Sequence, residues 1–291
     1  MLGERDLALL AALAEHKILS TYQLYVLFFT SQRRAQDCVQ RLRACGLIQT
    51  FTWRGATAGA RSSDRHFLSE RGASVVAASL GCSRKDLGWI PRSEEQAKTR
   101  MPHLSGVNAF FCSLVEATLA SPGYGLATWR PEHRLATPYG VIQPDGAGRL
   151  LHPRGEIEYV FEYDRRTENR AALARKLAAY CRIIAGSAVG RFPNVVFAVV
   201  GEDREAALRS ILLEALSEQW VAAAAHPGFY AASVTRLRRA GPLGVVWTDL
   251  LGHPGEPRLR LEDLPSGEAS DFDLAECLGR RWRTRSGEGA A

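Results

Sequence analysis

The sequence has no cysteines spaced for a zinc site or a disulfide framework. Its six cysteines form no Cys-x-x-Cys pair and no cluster with histidine, so buried or incidental thiols are expected. No run of 18 or more apolar residues is found, which argues against a membrane-spanning helix. The N-terminus also lacks the basic-then-apolar pattern of a signal peptide. We therefore expect a cytoplasmic protein with no membrane partner.

Lysine is scarce as well, since the 37 basic residues include only four lysines, at Lys17, Lys85, Lys98 and Lys176. Hydrophobic residues make up 46% of the 291-residue chain and charged residues 23%, as in ordinary globular proteins. A chain of this length favours two domains, each with its own core. The net charge of +6 excludes little by itself, so the location of that charge decides its meaning.

The N-terminal third has the pattern of a winged helix-turn-helix. Apolar residues at helical spacing predict three short helices, the second capped by Ser20 or Thr21 and the third closed by Gly46. Two strand-like segments separated by a loop then predict a hairpin, and a fourth helix follows. Three helices joined by brief turns and followed by a hairpin are typical of a DNA-binding domain. We place this domain at residues 1–80.

Positive charge is concentrated on the third helix and the hairpin. Residues 31–65 contain seven arginines and two aspartates, a net charge of +5 within a chain of +6. Arginine and glutamine side chains read base edges in the major groove, while arginines of a wing suit phosphate or minor-groove contacts. The alternative is a solvated helix face in an arginine-rich chain. The candidate DNA-binding residues are Arg33, Arg34, Gln36, Gln40, Arg41, Arg43, Arg54, Arg61 and Arg65.

The rest of the chain divides into a linker, a second domain and a tail. Residues 81–102 are polar and are interrupted by glycine and proline, which predicts an interdomain linker. Residues 103–250 alternate helical and strand-like patterns in the order α-β-β-β-α-β-α-β, so we expect an α/β sheet covered by helices. Residues 251–291 are rich in proline, glycine, serine and charge, which predicts a mobile or loosely docked tail.

Two acidic residues of the second domain are expected to meet. Alternation over residues 157–163 predicts a strand whose opposite face carries Glu162 and Asp164. Asp145 stands at a Pro-Asp-Gly turn signal after an apolar segment, 139–142, and before a Gly/Pro-rich connection; it lies beside Glu162 if these segments pair. Two carboxylates forced together repel, so one takes up a proton or a cation binds between them. Mg²⁺ is the expected cofactor, with Mn²⁺ as an alternative.

These residues resemble a nuclease motif. Pro144-Asp145, then Glu162-Tyr163-Asp164, then a helix with Lys176 are similar to the PD-(D/E)XK nuclease superfamily. The resemblance implies Mg²⁺ held by Asp145 and Glu162. The usual second motif ends in lysine, and here Asp164 occupies that position. Some members carry the lysine on the following helix, where Lys176 would fit.

The candidate catalytic residues are therefore Asp145, Glu162, Lys176, Glu132 and Asp164. Glu132 is expected on the preceding strand, where it would add a third carboxylate. Lys176 would stabilise charge on the transition-state phosphate or orient the attacking water. Two alternatives stay open: a surface ion pair of Lys176 with an acid such as Glu168, and a strand edge with solvated acids.

Short motifs in a fixed order also resemble the replication-relaxation family of actinobacterial plasmids and integrative elements, over roughly residues 5–235. They include Arg41-Leu42-Arg43-Ala44-Cys45-Gly46-Leu47, His66-Phe67-Leu68-Ser69-Glu70-Arg71-Gly72, Trp129-x-x-Glu132, Pro144-Asp145, Glu162-x-Asp164 and Lys176 with Tyr180. The resemblance implies a role in plasmid replication or relaxation at a defined DNA site. The implied partners are double-stranded DNA and other plasmid replication or transfer proteins. A homodimer on an inverted repeat would suit the N-terminal domain.

Two functions follow from these patterns. The first is a site-directed DNA-binding protein of a mobile element whose Mg²⁺-dependent nuclease-like domain nicks DNA. The second is a non-catalytic DNA-binding regulator or relaxosome accessory that uses the nuclease-like fold for dimerisation or partner contact. The Asp164 departure favours the second function, and a divalent-cation titration distinguishes the two.

Overall fold

The computed structural model describes residues 2–53, 63–91, 94–135, 142–186, 193–219 and 228–265. The chain divides into two compact units, Met1–Cys112 and Ser113–Ala291. No helix within the described ranges is long and apolar enough to cross a membrane.

The first unit is a winged helix-turn-helix, as the sequence predicts. Its strands form one antiparallel sheet in the order β1-β3-β2, so the hairpin β2–β3 gains a short third strand that the sequence did not reveal. A two-residue strand is too short for its periodicity to be recognised. The elements are α1 Glu4–His16, β1 Leu19–Ser20, α2 Thr21–Phe28, α3 Gln32–Ala44, β2 Ile48–Trp53, β3 Ser63–Leu68 and α4 Glu70–Leu80.

Local capping explains where these helices begin and end. Ser20 caps α2 by accepting from the Gln23 backbone N–H, and the Gln23 side chain accepts from the Ser20 N–H in return. Gly46 follows α3 with φ at 68°, a left-handed conformation that glycine adopts without strain. The N–H of Leu47 then donates to the carbonyl oxygen of Leu42 and closes the helix.

A long helix, α5 Glu94–Leu119, replaces most of the predicted linker. The linker prediction over residues 81–102 is therefore wrong from Glu94 onward, and the boundary between the units falls within α5. Pro102 suggested a break, but burial holds this segment in place because Met101 packs against the core of the first unit. Asn108 adds two hydrogen bonds from its side chain to backbone carbonyl oxygens near the end of α1.

The second unit is a six-stranded mixed sheet with helices, in the predicted element order. The strands lie in chain order; the central three, β6 to β8, are parallel to one another, and the flanking pairs are antiparallel. The elements are β4 Gly125–Pro131, β5 Gly146–His152, β6 Gly155–Asp164, α6 Arg170–Gly186, β7 Asn194–Val199, α7 Asp203–Gln219, β8 Phe229–Ser233, α8 Val234–Ala240 and β9 Thr248–Asp249. The predicted α+β chain with an α/β second domain is confirmed.

Burial of the central strands fixes the position of α6 and α7. Every residue of β7 and β8 is buried, as expected for parallel strands covered on both faces. Leu173, Leu177 and Tyr180 of α6 belong to the same buried cluster as Leu208 and Leu212 of α7. This cluster packs α6 against the sheet. The other side chains on the sheet-facing side of α6 then lie against β6.

Several local predictions in the second unit are wrong. Pro131 ends β4, and Glu132–Arg134 form a 3-10 helix rather than a strand. The supposed Gly/Pro-rich connection after Asp145 is β5 itself. Asn169 caps α6, because its side-chain oxygen accepts from the N–H of Ala172.

The predicted loose tail is also wrong for residues 251–265. Leu261 and Leu264 are buried, and Leu259 pairs with Trp247 through a β-bridge. The side chain of Asn194 donates to the carbonyl oxygen of Pro265. Two buried leucines, a β-bridge and a hydrogen bond thus hold a segment rich in proline, glycine and charge against the second unit. The remaining part of the predicted tail, 266–291, lies outside the described residues.

Candidate functional site

The pairing of β5 with β6 brings Asp145 next to Glu162. Gly146 lies opposite Phe161 in this antiparallel pair, so Asp145 and Glu162 occupy the next positions along the two strands. Asp145 Oδ2 accepts a hydrogen bond of 2.7 Å from the backbone N–H of Tyr163. The two acids are neighbours, as expected. Asp145 is placed there by β5, which follows it in the chain, and not by the segment that precedes it.

Glu162 is buried and is held by two side chains of α6. The Tyr180 hydroxyl donates to Glu162 Oε1 at 2.6 Å, and Lys176 Nζ donates to Oε2 at 2.6 Å. Lys176 and Tyr180 are four residues apart, so they project from the same helix face toward β6. Lys176 therefore reaches the acidic pair, while Glu168 Oε1 lies 4.0 Å from its Nζ.

Glu162 lies beside a second carboxyl group, which affects its protonation. Burial and the neighbouring charge of Asp145 raise the pKa of Glu162 to about 8, even though Lys176 opposes the shift. Burial lowers the pKa of Lys176, but the charges of Glu162 and Asp145 raise that pKa by more, so the ammonium stays protonated. The Glu162 carboxyl therefore holds a proton near neutral pH unless a further cation binds beside it.

Two neighbouring carboxyl groups fit a divalent cation. Mg²⁺ binds one or two carboxylates and keeps several waters, so two carboxylate residues are sufficient. Asp145 is partly exposed and Lys176 is about a quarter exposed, which leaves the buried Glu162 an approach from solvent. No group of three or more potential metal ligands occurs among the described residues. Glu132, half-buried on its 3-10 helix, therefore does not complete a three-ligand cluster with this pair.

Asp164, the remaining candidate, has a different environment. Arg204 Nε lies 2.5 Å from Asp164 Oδ2, and both side chains are nearly buried. The N–H of Arg166 also donates to Asp164 Oδ1 at 2.8 Å. The residue in place of the motif's usual lysine is thus engaged by an arginine of α7.

Two partners in this region were missed by sequence reasoning. Tyr180 could have been found, because it lies four residues after Lys176 and therefore on the same helix face. Arg204 gave no signal, since it lies 40 residues from Asp164 in a chain with many arginines. Only the pairing of β6 with β7 and the start of α7 bring Arg204 to Asp164.

The predicted DNA-binding residues of α3 are mostly exposed. The side chains of Arg33, Arg34, Gln36, Gln40, Arg41 and Arg43 lie on its solvent face, opposite the buried Ala35, Val39 and Leu42. Arg33 also forms an exposed ion pair with Asp37.

Arg41 has a further contact, and the other three predicted residues lie outside α3. Arg41 makes two hydrogen bonds to Asp6, of 2.6 and 3.0 Å, and so links α3 to α1. Arg65 is half-buried on β3 and donates to Ser63 and Ser105. The predicted contacts at Arg54 and Arg61 lie outside the described residues.

Comparison with solved structures gives weak similarities. Bacillus subtilis PadR in complex with operator DNA is 14% identical, with 74% of this chain and 94% of that chain covered, at a TM-score of 0.21. The restriction endonuclease FokI is 12% identical, with 81% of this chain and 43% of that chain covered, at a TM-score of 0.28. Scores this low carry no argument about function. No curated protein has a sequence that matches this chain.

A family comparison is informative. The model of the replication-relaxation family matches residues 10–195, which include α3, Asp145, Glu162 and Lys176. The match covers more than half of the chain and spans both units. The description of the family indicates a role connected with DNA. The chain belongs to the replication-relaxation family.

Proposed function

We propose that this chain is a site-directed DNA-binding protein of a mobile element, with a metal-dependent nicking site in its second unit. The first unit binds double-stranded DNA through the exposed face of α3. Asp145 and Glu162 bind Mg²⁺ or Mn²⁺, and Lys176 acts on the same phosphodiester. The observation that carries this proposal is the contact of Lys176 with the buried Glu162 beside Asp145.

The side chains of this site have separate roles. When bound, the divalent ion supplies Lewis-acid polarisation of a phosphoryl oxygen. Glu162 and Asp145 hold it with carboxylate oxygens, and Tyr180 fixes the orientation of the Glu162 carboxylate by its hydrogen bond. Lys176 presents a fixed positive charge, which stabilises negative charge that develops on the phosphate.

Nicking of supercoiled plasmid tests the catalytic part. The plasmid would carry the genomic region that neighbours the coding sequence, and Mg²⁺ and Mn²⁺ would be compared with EDTA. Metal-dependent nicking that disappears in Glu162→Ala supports the proposal. Glu214→Ala, which removes an exposed carboxylate of α7, is the matched control and should nick like the parent. Absence of nicking by the parent protein with either metal would contradict the catalytic assignment.

The DNA-binding part has its own test. Because phosphate contacts release counterions, affinity for the neighbouring duplex should fall steeply with salt. Arg33→Ala/Arg34→Ala should weaken binding, since it removes two exposed charges from α3. Arg71→Ala/Arg84→Ala removes the same charge from α4 and the turn after it, and is the control. Binding that ignores salt and both α3 substitutions would exclude the proposed use of α3.

The second candidate function is a non-catalytic regulator or relaxosome accessory. Asp164 favours it, because the usual lysine position of the motif carries an acid that Arg204 neutralises. In that case the second unit keeps its fold for dimerisation or partner contact. Calorimetric titration with Mn²⁺ separates the two functions. Metal binding that Asp145→Ala abolishes favours the nuclease, and its absence beside intact DNA binding favours the accessory.

A further inference from the structure

A group of arginines lies where the parallel strands of the second unit end. Asp164 of β6 lies opposite Val199 of β7, and Val199 lies opposite Ser233 of β8, so the three strands end in line. Arg165 directly follows β6, and α8 directly follows β8. Residues after the ends of parallel strands share one edge of the sheet, so Arg165 and α8 lie on the same edge.

Acids of this edge are already paired with arginines. These ion pairs are Asp164–Arg204 at 2.5 Å, Asp203–Arg166 at 2.8 Å, and Glu205–Arg236, with Glu202 3.9 Å from Arg236 as well. An acid that is already paired competes less for a further cation. The other arginines of this edge therefore keep their charge available.

Arg165 and Arg238 are two of these arginines, and Arg239, also exposed on α8, is a third. Arg165 is half-buried after β6 and Arg238 is exposed on α8, and neither forms an ion pair or hydrogen bond with any described residue. Tyr163 lies two residues before Arg165, so an aromatic residue also stands at this end of β6.

The turn that contains Arg165 has a defined conformation. Asp164 Oδ1 accepts from the N–H of Arg166, and Arg166 has φ at 62°, the left-handed region that non-glycine residues rarely occupy. Gly201 lies beneath the Arg166–Asp203 ion pair, since an added Cβ would come within 2.8 Å of Arg166 Nη1. The backbone on both sides of Arg165 is therefore held in one conformation, and the hydrogen bond to Asp164 contributes to this.

We propose that Arg165 and Arg238 bind phosphates of a nucleic-acid backbone at this edge of the sheet, so that the second unit holds nucleic acid by itself. Guanidinium groups match phosphate oxygens geometrically, and Tyr163, two residues before Arg165, offers an aromatic ring that can stack on a base. Glu162 and Tyr163 are successive in β6 and project from opposite faces, so this surface is separate from the carboxylate site. The inference rests on the proposed DNA ligand but not on nicking.

Residual binding of a variant with a disabled α3 tests this inference. The full-length chain with Arg33→Ala/Arg34→Ala is the background, and binding is measured in EDTA, where nicking plays no part. The probes are a duplex of about 30 base pairs and a single strand of the same length, because either can supply the phosphates. In this background, Arg165→Ala and Arg238→Ala are each compared with Arg182→Ala, which removes an exposed charge from α6.

The expected result is a change in the salt dependence of binding. Each of the two substitutions should lower the slope of log affinity against log salt by about 0.9 on duplex or about 0.7 on single strands. Arg182→Ala should leave the slope unchanged, and Arg165→Lys/Arg238→Lys should largely keep it. A change on the single strand alone would assign the surface to unpaired nucleic acid.

Three results would overturn the inference. The first is that the Arg33→Ala/Arg34→Ala background binds neither probe at low salt. The second is that Arg165→Ala and Arg238→Ala have the same salt slope as Arg182→Ala. The third is that Arg165→Lys/Arg238→Lys lowers the salt slope as much as the alanine substitutions do. Unchanged thermal unfolding of the variants would confirm that the charge and not the fold was removed. Because no cleavage is measured, the nicking site can fail its own test while this surface passes.

Discussion

Glu162 and Asp164 lie two residues apart on β6, on the same face of the strand, and both contact a basic side chain from a helix. Their surroundings differ in one respect. Glu162 lies beside a second carboxyl group, Asp145, whose charge raises its pKa, whereas Asp164 is held by Arg204 and by a backbone N–H. The first carboxyl group therefore has a like-charged neighbour, and the second is paired with an arginine.

This difference teaches how a binding site differs from a structural ion pair. A carboxylate that is paired with an arginine needs no further cation, and the Asp164–Arg204 pair holds the end of β6 to the start of α7. A buried carboxyl group beside a second carboxyl group either keeps a proton or binds a cation, so its state depends on pH and on metal. Substitutions at the two positions should therefore affect different measurable properties.

The largest expected effect is on metal binding and nicking. Asp145→Asn keeps an oxygen for the Tyr163 N–H but removes the negative charge, so Mn²⁺ affinity and nicking should fall by at least about a hundredfold, since disturbing outer-shell groups alone costs about 10- to 100-fold. Asp164→Asn should change Mn²⁺ affinity little. Isothermal titration of both variants makes the comparison, and equal losses at the two positions would remove the distinction between them.

The next effect is on stability and concerns the Asp164–Arg204 ion pair. Arg204→Ala leaves Asp164 nearly buried without its cation, which should lower the free energy of unfolding by about 3 kcal/mol. Asp164→Leu/Arg204→Met removes both charges and should recover much of this loss. Urea unfolding at one pH measures the three proteins. A double-substitution cycle with no coupling would show that the pair does not hold the two elements together.

A smaller effect is expected in the pH dependence of stability without metal. The pKa of Glu162 is raised in the folded state to about 8, so its contribution is fully present below the unfolded value near 4.5 and is lost as pH rises through about 8. Stability should therefore fall by roughly 1–3 kcal/mol between acidic and mildly alkaline pH. Glu162→Gln should flatten this change.

Metal provides the control for the pH experiment. Mg²⁺ should raise the unfolding temperature of the parent protein most at alkaline pH, where Glu162 is ionised, and should have no such effect on Glu162→Gln. If the metal-free stability of the parent protein does not fall between acidic and mildly alkaline pH, the pKa of Glu162 is not raised in the folded state.

Sequence patterns predicted the elements of this site better than their partners. Alternation identified β6, and helical spacing placed Lys176 and Tyr180 on one face of α6, but packing decided that this face meets Glu162. Pro102 misled the prediction at α5, because propensity is local whereas the burial of Met101 is tertiary. The docked segment around Leu261 was missed for the same reason.

By itself, the sequence determined the order of elements, the winged helix-turn-helix and the second α/β unit. These depend on periodicity, capping and turn residues, which act over a few neighbouring positions. Only the tertiary structure decided that Lys176 reaches Glu162 and that Arg204 neutralises Asp164. The physical reason is that an ion pair forms wherever packing brings two charges together, and packing depends on burial across the whole sheet.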